Sequence, residues 1–476
     1  MLGLFGTLNL GARALQAQQQ GIETAGHNLA NVNTTGYARQ RVNLQTSSAI
    51  PSSFGPIGTG VDVAGIQQLR DAILDGQVQS ENSVTSFLAA KQAALQYAEA
   101  ALGQQIDRSA SGAEGAAAAN GSGGQHGIAD QLSGFFNAFQ ALAADPSSPT
   151  ARKAVLSKAQ DLAGLFNQIS SGLASLHASL NDSINSDTDS ANNLLASIAD
   201  LNKQIITTET GNPGSANDLR DLRQQKIEQL SNLVNIQTTA QTNGGVDISI
   251  SGVTMVSGTQ VKDTLQTYDA GGGQILLRGA SSGTPLTLSS GSIQGTIDAR
   301  DGAMKDLSDN LAVLASQLVT EVNNIHQTGY GLNGSTGAAF FVGTNAATIQ
   351  VNAALVGDPA LLQAAGVPGA AGDNKVALAL AQLANKKIAG LSNQTLSDQF
   401  GTTVASLGQA ISSTSSNISD QQLVSKMLQQ QRDSVSGVSL DEEMTDMMKY
   451  QKAYEASAHL ITTLDQMLET VLTMKQ

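Results

Sequence analysis

The chain has no cysteine and no tryptophan, and aromatic residues make up 3% of its 476 positions. Without thiols there is no disulfide framework, no thiolate metal centre and no cysteine nucleophile. The absence fits two readings: a chain with no use for thiols, or one that crosses unfolded into an oxidising space without cross-linking. The scarcity of aromatics speaks against a large aromatic-lined pocket. Charged residues are 13%, about half the roughly 25% usual in soluble domains. Lys and Arg number 25 against 39 Asp and Glu, a formal charge of −14. A nucleic-acid binder needs a basic stripe for the phosphates, and adhesion to an anionic membrane needs the same sign, so neither partner is expected. Also missing is any apolar run near the roughly 18 residues of a membrane span. The opening MLGLFGTLNLGARALQAQQQ lacks a basic n-region and a compact apolar stretch before a small-residue cleavage site. Export, if it occurs, is expected to proceed without a removed signal.

What is present is heptad patterning, at both ends. Leu8, Leu15, Ile22 and Leu29 recur every seven residues, and Phe5 and Ala12 widen the seam. Leu440, Met447, Tyr454, Ile461 and Leu468 also recur every seven, with Leu464, Val471 and Leu472 beside them. Such repeats mark helices that pack lengthwise on other helices. The second helix is expected from Leu440 to Lys475, with Ser439 and Glu442 as a capping box and Asp441 and Glu443 at the positive end of its dipole. The first is weaker, because Gly11, Gly21 and Gly26 interrupt it and Gln19 falls on the seam. Burying its four Leu/Ile side chains yields about 6–12 kcal/mol. Ordering about thirty backbones costs roughly 30–60 kcal/mol. The ends therefore need partners, in each other and in neighbouring subunits.

Between the ends, residues 62–108 read as a turn and a long helix carrying Phe87, Leu88, Leu95 and Leu102 on one face. Residues 109–127, rich in Gly, Ala and Ser, read as a flexible loop. A short helix over 129–144 stops before Asp145-Pro146, and Ser148-Pro149 opens the clearest helix of the chain. There Val155, Leu162, Ile169 and Leu176 repeat every seven, as do Ala159, Phe166, Leu173 and Leu180. Gly211-Asn212-Pro213-Gly214 ends it, and 217–234 runs back. Over 235–300 the period changes: Val246, Ile248 and Ile250 alternate with polar residues, and turn residues recur as in a small antiparallel β domain. A helix resumes near 298, with Met304, Leu311, Leu318 and Ile325 on one face. Loops with short strands fill 328–375, and helices return over 376–434.

The expected fold is mainly α with an inserted small β domain: long antiparallel helices in a bundle, and terminal helices pairing as a coiled coil. The expected division is a terminal domain of 1–35 with 436–476, a helical body of 36–234 with 298–435, and an outer β domain of 235–297.

Residues 27–41 read HNLANVNTTGYARQR. Asn28, Asn31 and Asn33 bond local backbone or tolerate left-handed conformations, and Gly36 offers a position open to positive φ. On residue chemistry alone this is a turn after a helix. The segment also resembles the N-terminal signature of flagellar rod, hook and hook-associated proteins. Gly36-Tyr37 followed by Arg39-Gln40-Arg41 makes it most similar to the hook-associated protein 1 family. SGVSLDEEMTDMMKYQKAYEASAHLITTLDQMLETVL (436–472) resembles the C-terminal signature of the same proteins, and the pair is more specific than either alone. FGPIGTGVDVAGIQQLRDAILDGQV (54–78), FFNAFQALAADPSSPTARKAVLSKAQDLAGLFN (135–167), NDLRDLRQQKIEQLSNLV (217–234) and VNNIHQTGYGLNGSTGAAFF (322–341) are similar to the family's body.

The resemblance implies a non-enzymatic structural subunit of the flagellum. It would form a ring at the distal end of the hook and allow the filament to assemble beyond it. Implied partners are further copies of itself, the hook protein, a second hook-associated junction protein, the flagellar export apparatus and an export chaperone. The expected location is the extracellular flagellum. The expected assembly interface is Leu8, Leu15, Ile22, Leu29, Asn28, Asn31, Asn33, Gly36 and Tyr37 with Met447, Tyr454, Ile461, Leu464 and Leu468. Two other readings stay open: another axial subunit, such as the hook or distal rod protein, and a secreted adhesin-like protein using the β domain.

Signals for catalysis are weak. The five histidines, His27, His126, His177, His326 and His459, have no second ligand at metal spacing. His177 is expected to be solvated, and His326 to be a turn or packing residue. Gly271-Gly272-Gly273 lacks the following Lys and helix of a phosphate loop. A wall hydrolase would need a paired carboxylate or a metal, and none is legible. No cofactor is expected.

Overall fold

A computed structural model describes residues 4–52, 55–103, 127–211 and 214–474. Most of the chain is helix. The first helix, α1 (Leu4–Ala30), is followed by four short strands, β1 (Gln40–Thr46), β2 (Ile50–Ser52), β3 (Gly55–Ile57) and β4 (Val61–Gln68). Then come α2 (Ala72–Ala101), α3 (Ile128–Ala144), α4 (Pro149–Thr208) and α5 (Asn217–Leu233). A four-stranded antiparallel sheet has the order β5 (Gln237–Ala240), β6 (Val246–Ile250), β7 (Val253–Ser257), β8 (Gln260–Val261). Beside it lies a two-stranded ribbon of β9 (Leu265–Asp269) and β10 (Ile275–Gly279). Helix α6 (Ser292–Ala299) passes through a π-helical turn (Arg300–Met304) into α7 (Lys305–His326). Short pieces follow, among them β11 (Phe341–Val342), β12 (Gln350–Val351), α8 (Ala353–Gly357) and α9 (Lys375–Gln382). The chain ends in α10 (Leu396–Ser436) and α11 (Leu440–Thr473).

The helix starts are well specified. Ser148 Oγ accepts from the amide of Ala151, and Pro149 occupies the first helical position of α4. Asp71 caps α2, and Thr395 with Asp398 forms a reciprocal capping box on α10.

Two hydrophobic cores follow. The first joins α3, the near half of α4, α7, α9, the near half of α10 and the end of α2. Phenylalanines concentrate there: Phe135, Phe139, Phe340 and Phe341 pack ring to ring, with centroids 4.8 Å apart for the last two. His326 is wholly buried against Phe340; its Nδ1 lies 2.8 Å from the carbonyl of Ala338, and its Nε2 accepts from the amide of Gln363. It is a packing residue held neutral. The second core joins the far half of α4, α5 and α6 with the inner faces of β6, β7, β9 and β10. The β strands thus pack on α4 and α5 rather than standing apart from them. Leu180 of α4 belongs to the first core and Ile184 to the second, so one helix runs through both. Among the described residues, none from α1 or α11 belongs to either core.

Three sequence expectations change. Residues 40–68, partly read as a turn, form antiparallel strands; β1 pairs with β4 from Gln40↔Gln68 to Thr46↔Val61, with a bulge after Asn43. Glycines and prolines interrupt these short runs and hid their alternation. A helix resumes at Ser292 rather than near 298, because Gly291 turns the chain with φ 94° against the Leu233 carbonyl. His177 is half-buried rather than solvated, lying beside Gly273. The loop expected over 109–127 lies, but for its last residue, outside the described residues, as do His126 and the centre of the turn at 211–214.

Candidate assembly interface

Helix α1 is continuous through all three glycines expected to interrupt it. Two of them are the reason it fits. A Cβ on Gly11 would stand 2.9 Å from Ile461 Cγ1, and one on Gly21 would stand 2.6 Å from the Tyr450 ring. The buried residues of α1 are small or polar, Gly11, Ala17, Gly21, Thr24, Ala25 and Asn28, and of these Gly11, Gly21 and Asn28 meet α11. Leu8, Leu15, Ile22 and Leu29 flank them and are half-buried. On α11, Met447, Ile461, Leu464 and Leu468 are half-buried, and Tyr454 is exposed. Tyr450, which fills the notch at Gly21, falls off the every-seven repeat and was not anticipated.

The strands β1 and β4 run back along α1 as an arm. Arg13 Nη1 holds it, donating to Ser47 Oγ at 2.6 Å and Asp62 Oδ1 at 2.8 Å. Gly60 passes over Leu10.

Where the arm begins, the two ends of the chain meet in a polar latch. Asn28 is buried and uses both ends of its amide. Its Nδ2 donates to the Gln40 carbonyl at 2.8 Å and to Glu443 Oε2 at 3.0 Å. Its Oδ1 accepts from the Gln40 amide at 2.9 Å and from the Tyr37 hydroxyl at 2.8 Å. Arg39 lies across the first turn of α11, 2.6 Å from carboxylate oxygens of both Glu442 and Glu443 and 3.5 Å from Asp446. Its Nε–H is not aimed along the contact with the buried Glu443 Oε1, which is an ion pair more than a hydrogen bond. The acidic first turn of α11 thus does more than complement the helix dipole.

The latch is tied to the body through α5. The amide of Ala38 donates to Asp221, and Gln40 Nε2 to Asp218 Oδ1 at 2.9 Å. Arg70 joins Asp221 at 2.6 Å, Asp75 at 3.1 Å and the carbonyl of Gly36 at 2.8 Å. Gly36 has φ 83°, as the turn requires. Burial, with Asp218, Asp221 and Glu443 nearby, pushes the Tyr37 hydroxyl well above its ordinary value, so it stays a donor. Burial likewise raises Asp75 and Asp221, against the opposing pull of Arg70.

The structure thus brings Asn28, Gly36 and Tyr37 together with the start of α11. Asn31 serves its own turn, donating to the His27 carbonyl at 3.0 Å, and Asn33 is exposed. Arg39, Arg70, Asp221 and Glu443 were absent from the expected interface. Arg39 stands in the quoted signature, but its partners lie far away in sequence. Among the described residues, no group of three His, Cys, Asp or Glu side chains is placed to hold a metal ion.

Three family descriptions match along the chain. "Flagella basal body rod protein" covers residues 8–37, and "Flagellar basal body rod FlgEFG protein C-terminal" covers 429–474. "Flagellar hook-associated protein FlgK helical domain" covers 120–341. Flagellar hook-associated protein 1 of Bacillus subtilis (strain 168) is 28% identical over 529 residues, spanning 99% of this chain and 98% of that protein. Over nearly its whole length the chain is similar to the hook-associated protein 1 family. Its relative of that name in Salmonella typhimurium is 24% identical and spans 98% of this chain and 99% of the relative. The solved structure of the flagellar hook junction protein FlgK from Burkholderia pseudomallei shares the fold. Its TM-score is 0.62 at 16% identity, over 76% of this chain and all of that one. The rod-type matches at the two ends coincide with the two sides of the latch.

Proposed function

We propose that this chain is the flagellar subunit that joins hook to filament, building a ring on the distal end of the hook through its paired terminal helices. The observation that carries the reading is the latch: segments 27–41 and 436–446 meet there and align α1 with α11. The aligned pair leaves apolar residues uncovered. Phe5, Leu440, Met444, Met448, Leu460, Met467 and Val471 are exposed, beside the half-buried Leu8, Leu15, Ile22 and Leu29. A two-helix rod cannot hide such side chains by itself, and neighbouring copies of the same rod can. Methionines suit a surface that meets more than one kind of neighbour.

In this reading the interface residues are those expected from the sequence, with the leucine flank of α1 and the outer face of α11 turned to neighbours. The terminal domain is 1–35 with 436–476, the body 36–234 with 298–435, and the β domain 235–297. The hook protein lies below the ring and the second hook-associated junction protein above it. The chain passes the export apparatus unfolded, escorted by a chaperone, and its role is structural rather than enzymatic.

The test is an image of hook tips from cells lacking this protein. Complete hooks without filaments, with unassembled flagellin in the medium, are expected. Normal filaments would overturn the assignment. The charged variants Leu15→Asp and Ile461→Asp are expected to reproduce the bare hook while the body stays folded. Unlimited homopolymers of the purified chain would instead favour a hook-type subunit.

A further inference from the structure

We propose that Arg39 is the positioning residue that sets the angle between the terminal helix pair and the body. Hydrophobic packing does not hold the two together. Among the described residues, α1 and α11 share no side chain with either hydrophobic core. The apolar residues buried at the elbow are small, Ala38 and Val42. Shape-filling therefore leaves the angle loosely specified, and directional polar contacts decide it.

Arg39 touches three of the elements that meet there, and its side chain reaches α11. Its amide donates to the Ser436 carbonyl at the end of α10, 2.9 Å away. Its carbonyl accepts from Leu69 at the end of β4 at 2.8 Å. Its guanidinium spans Glu442, Glu443 and Asp446 on α11. Burial works against the charge, but the hydrogen bond to Glu442 and the field of the carboxylates outweigh it and raise the group further. A planar fork bridging successive carboxylates fixes rotation as well as distance, which a single point charge does not.

The opposite side of the elbow is a joint. Only Gly437, Val438 and Ser439 separate α10 from α11. A Cβ on Gly437 would stand 2.3 Å from the Asp433 carbonyl, so a side chain there would disturb the last turn of α10. The Gly437 amide donates to that carbonyl at 2.8 Å and ends α10. At Gly437 the backbone is extended, and the short joint leaves the direction of α11 to contacts beyond it. The guanidinium supplies that direction from across the cleft.

The absence of native cysteine makes the test clean. Gln422→Cys on α10 and Gln451→Cys on α11, both exposed, carry spin labels in the full-length chain, and pulsed electron resonance reads the distance distribution. A narrow distribution is expected with Arg39 intact. Arg39→Gln should broaden it roughly twofold as the elbow becomes a hinge, with the thermal melt of the body unchanged. Arg39→Lys should restore part of the narrowing, because one ammonium reaches one carboxylate. A distribution already broad with Arg39 present, or one unmoved by Arg39→Gln, overturns the proposal. Should Arg39→Gln fail to fold, Glu442→Gln combined with Asp446→Asn removes one exposed and one half-buried partner and must also broaden the distribution. The consequence in cells, exported subunits that seat poorly on the hook, rests on the junction reading. The distance measurement does not, so the two can fail separately.

Discussion

The body and the terminal pair are both built from long helices, yet opposite means hold them. The body buries large apolar side chains in two cores, and its helices are fixed by shape. The terminal pair approaches closely at two glycines, is oriented by the buried Asn28 amide and by ion pairs, and keeps many of its larger apolar groups exposed. A core closed on itself makes a stable monomer. A seam of small residues with leucines on its flank makes a part that is finished only by a neighbour. The same helical periodicity therefore serves completion in one region and incompleteness in the other.

The contrast can be broken at its strongest point first. Phe135→Ala, in the phenylalanine cluster of the first core, should destabilise the chain by about 3–5 kcal/mol in denaturant unfolding. A loss below about 1 kcal/mol would mean that this core is not what holds the body.

The buried His326 gives a pH signature of the same region. Burial pushes its imidazole down to about 4, against the opposing bond to the Ala338 carbonyl. With the folded value below the unfolded value of about 6.5, the unfolded state binds the extra proton. Stability is then complete above about pH 6.5 and falls as pH drops toward 4, by about 3 kcal/mol in all. His326→Gln should flatten that slope, and an unchanged slope would assign it to the carboxylates instead.

At the terminal pair the expected effects move from stability to assembly. Gly21→Val drives a side chain into the Tyr450 ring, so filament formation should be lost while the body's unfolding midpoint shifts by less than about 0.5 kcal/mol. A shift as large as that of Phe135→Ala would show that the ends belong to the same cooperative unit. Amide exchange sharpens the point: α1 and α11 should exchange well before the core segments of α4, since local opening there exposes little apolar surface. Smallest of all, Leu8→Ser should leave the unfolding of the isolated chain within about 0.5 kcal/mol, because Leu8 is already half outside.

The sequence made α4 plain because its repeat is long, capped and apolar. It also marked Asn28 and Gly36 by their backbone chemistry, while Tyr37 was marked only by the resemblance of its motif. The strands at 40–68 escaped because three- to eight-residue runs broken by Gly and Pro carry little periodic signal. The true contact face of α1 escaped for a different reason. Hydrophobic periodicity weights large side chains, and here close approach selects the absence of one, at Gly11 and Gly21. The latch was legible in half: Arg39 is visible in its motif, but its carboxylates lie some four hundred positions away, and no local rule joins them.

One feature of the body bears on mechanics. Helix α4 spans sixty residues, about 90 Å at 1.5 Å per residue, and passes from the first core into the second. A push on the β strands at one end therefore travels along an unbroken beam of backbone hydrogen bonds before it reaches the phenylalanine cluster at the other. Loops yield under load, whereas a helix seated at both ends in close-packed cores bends little. Three residues separate α10 from α11, and the Arg39 guanidinium spans that joint, so this stiff lever is clamped at its foot.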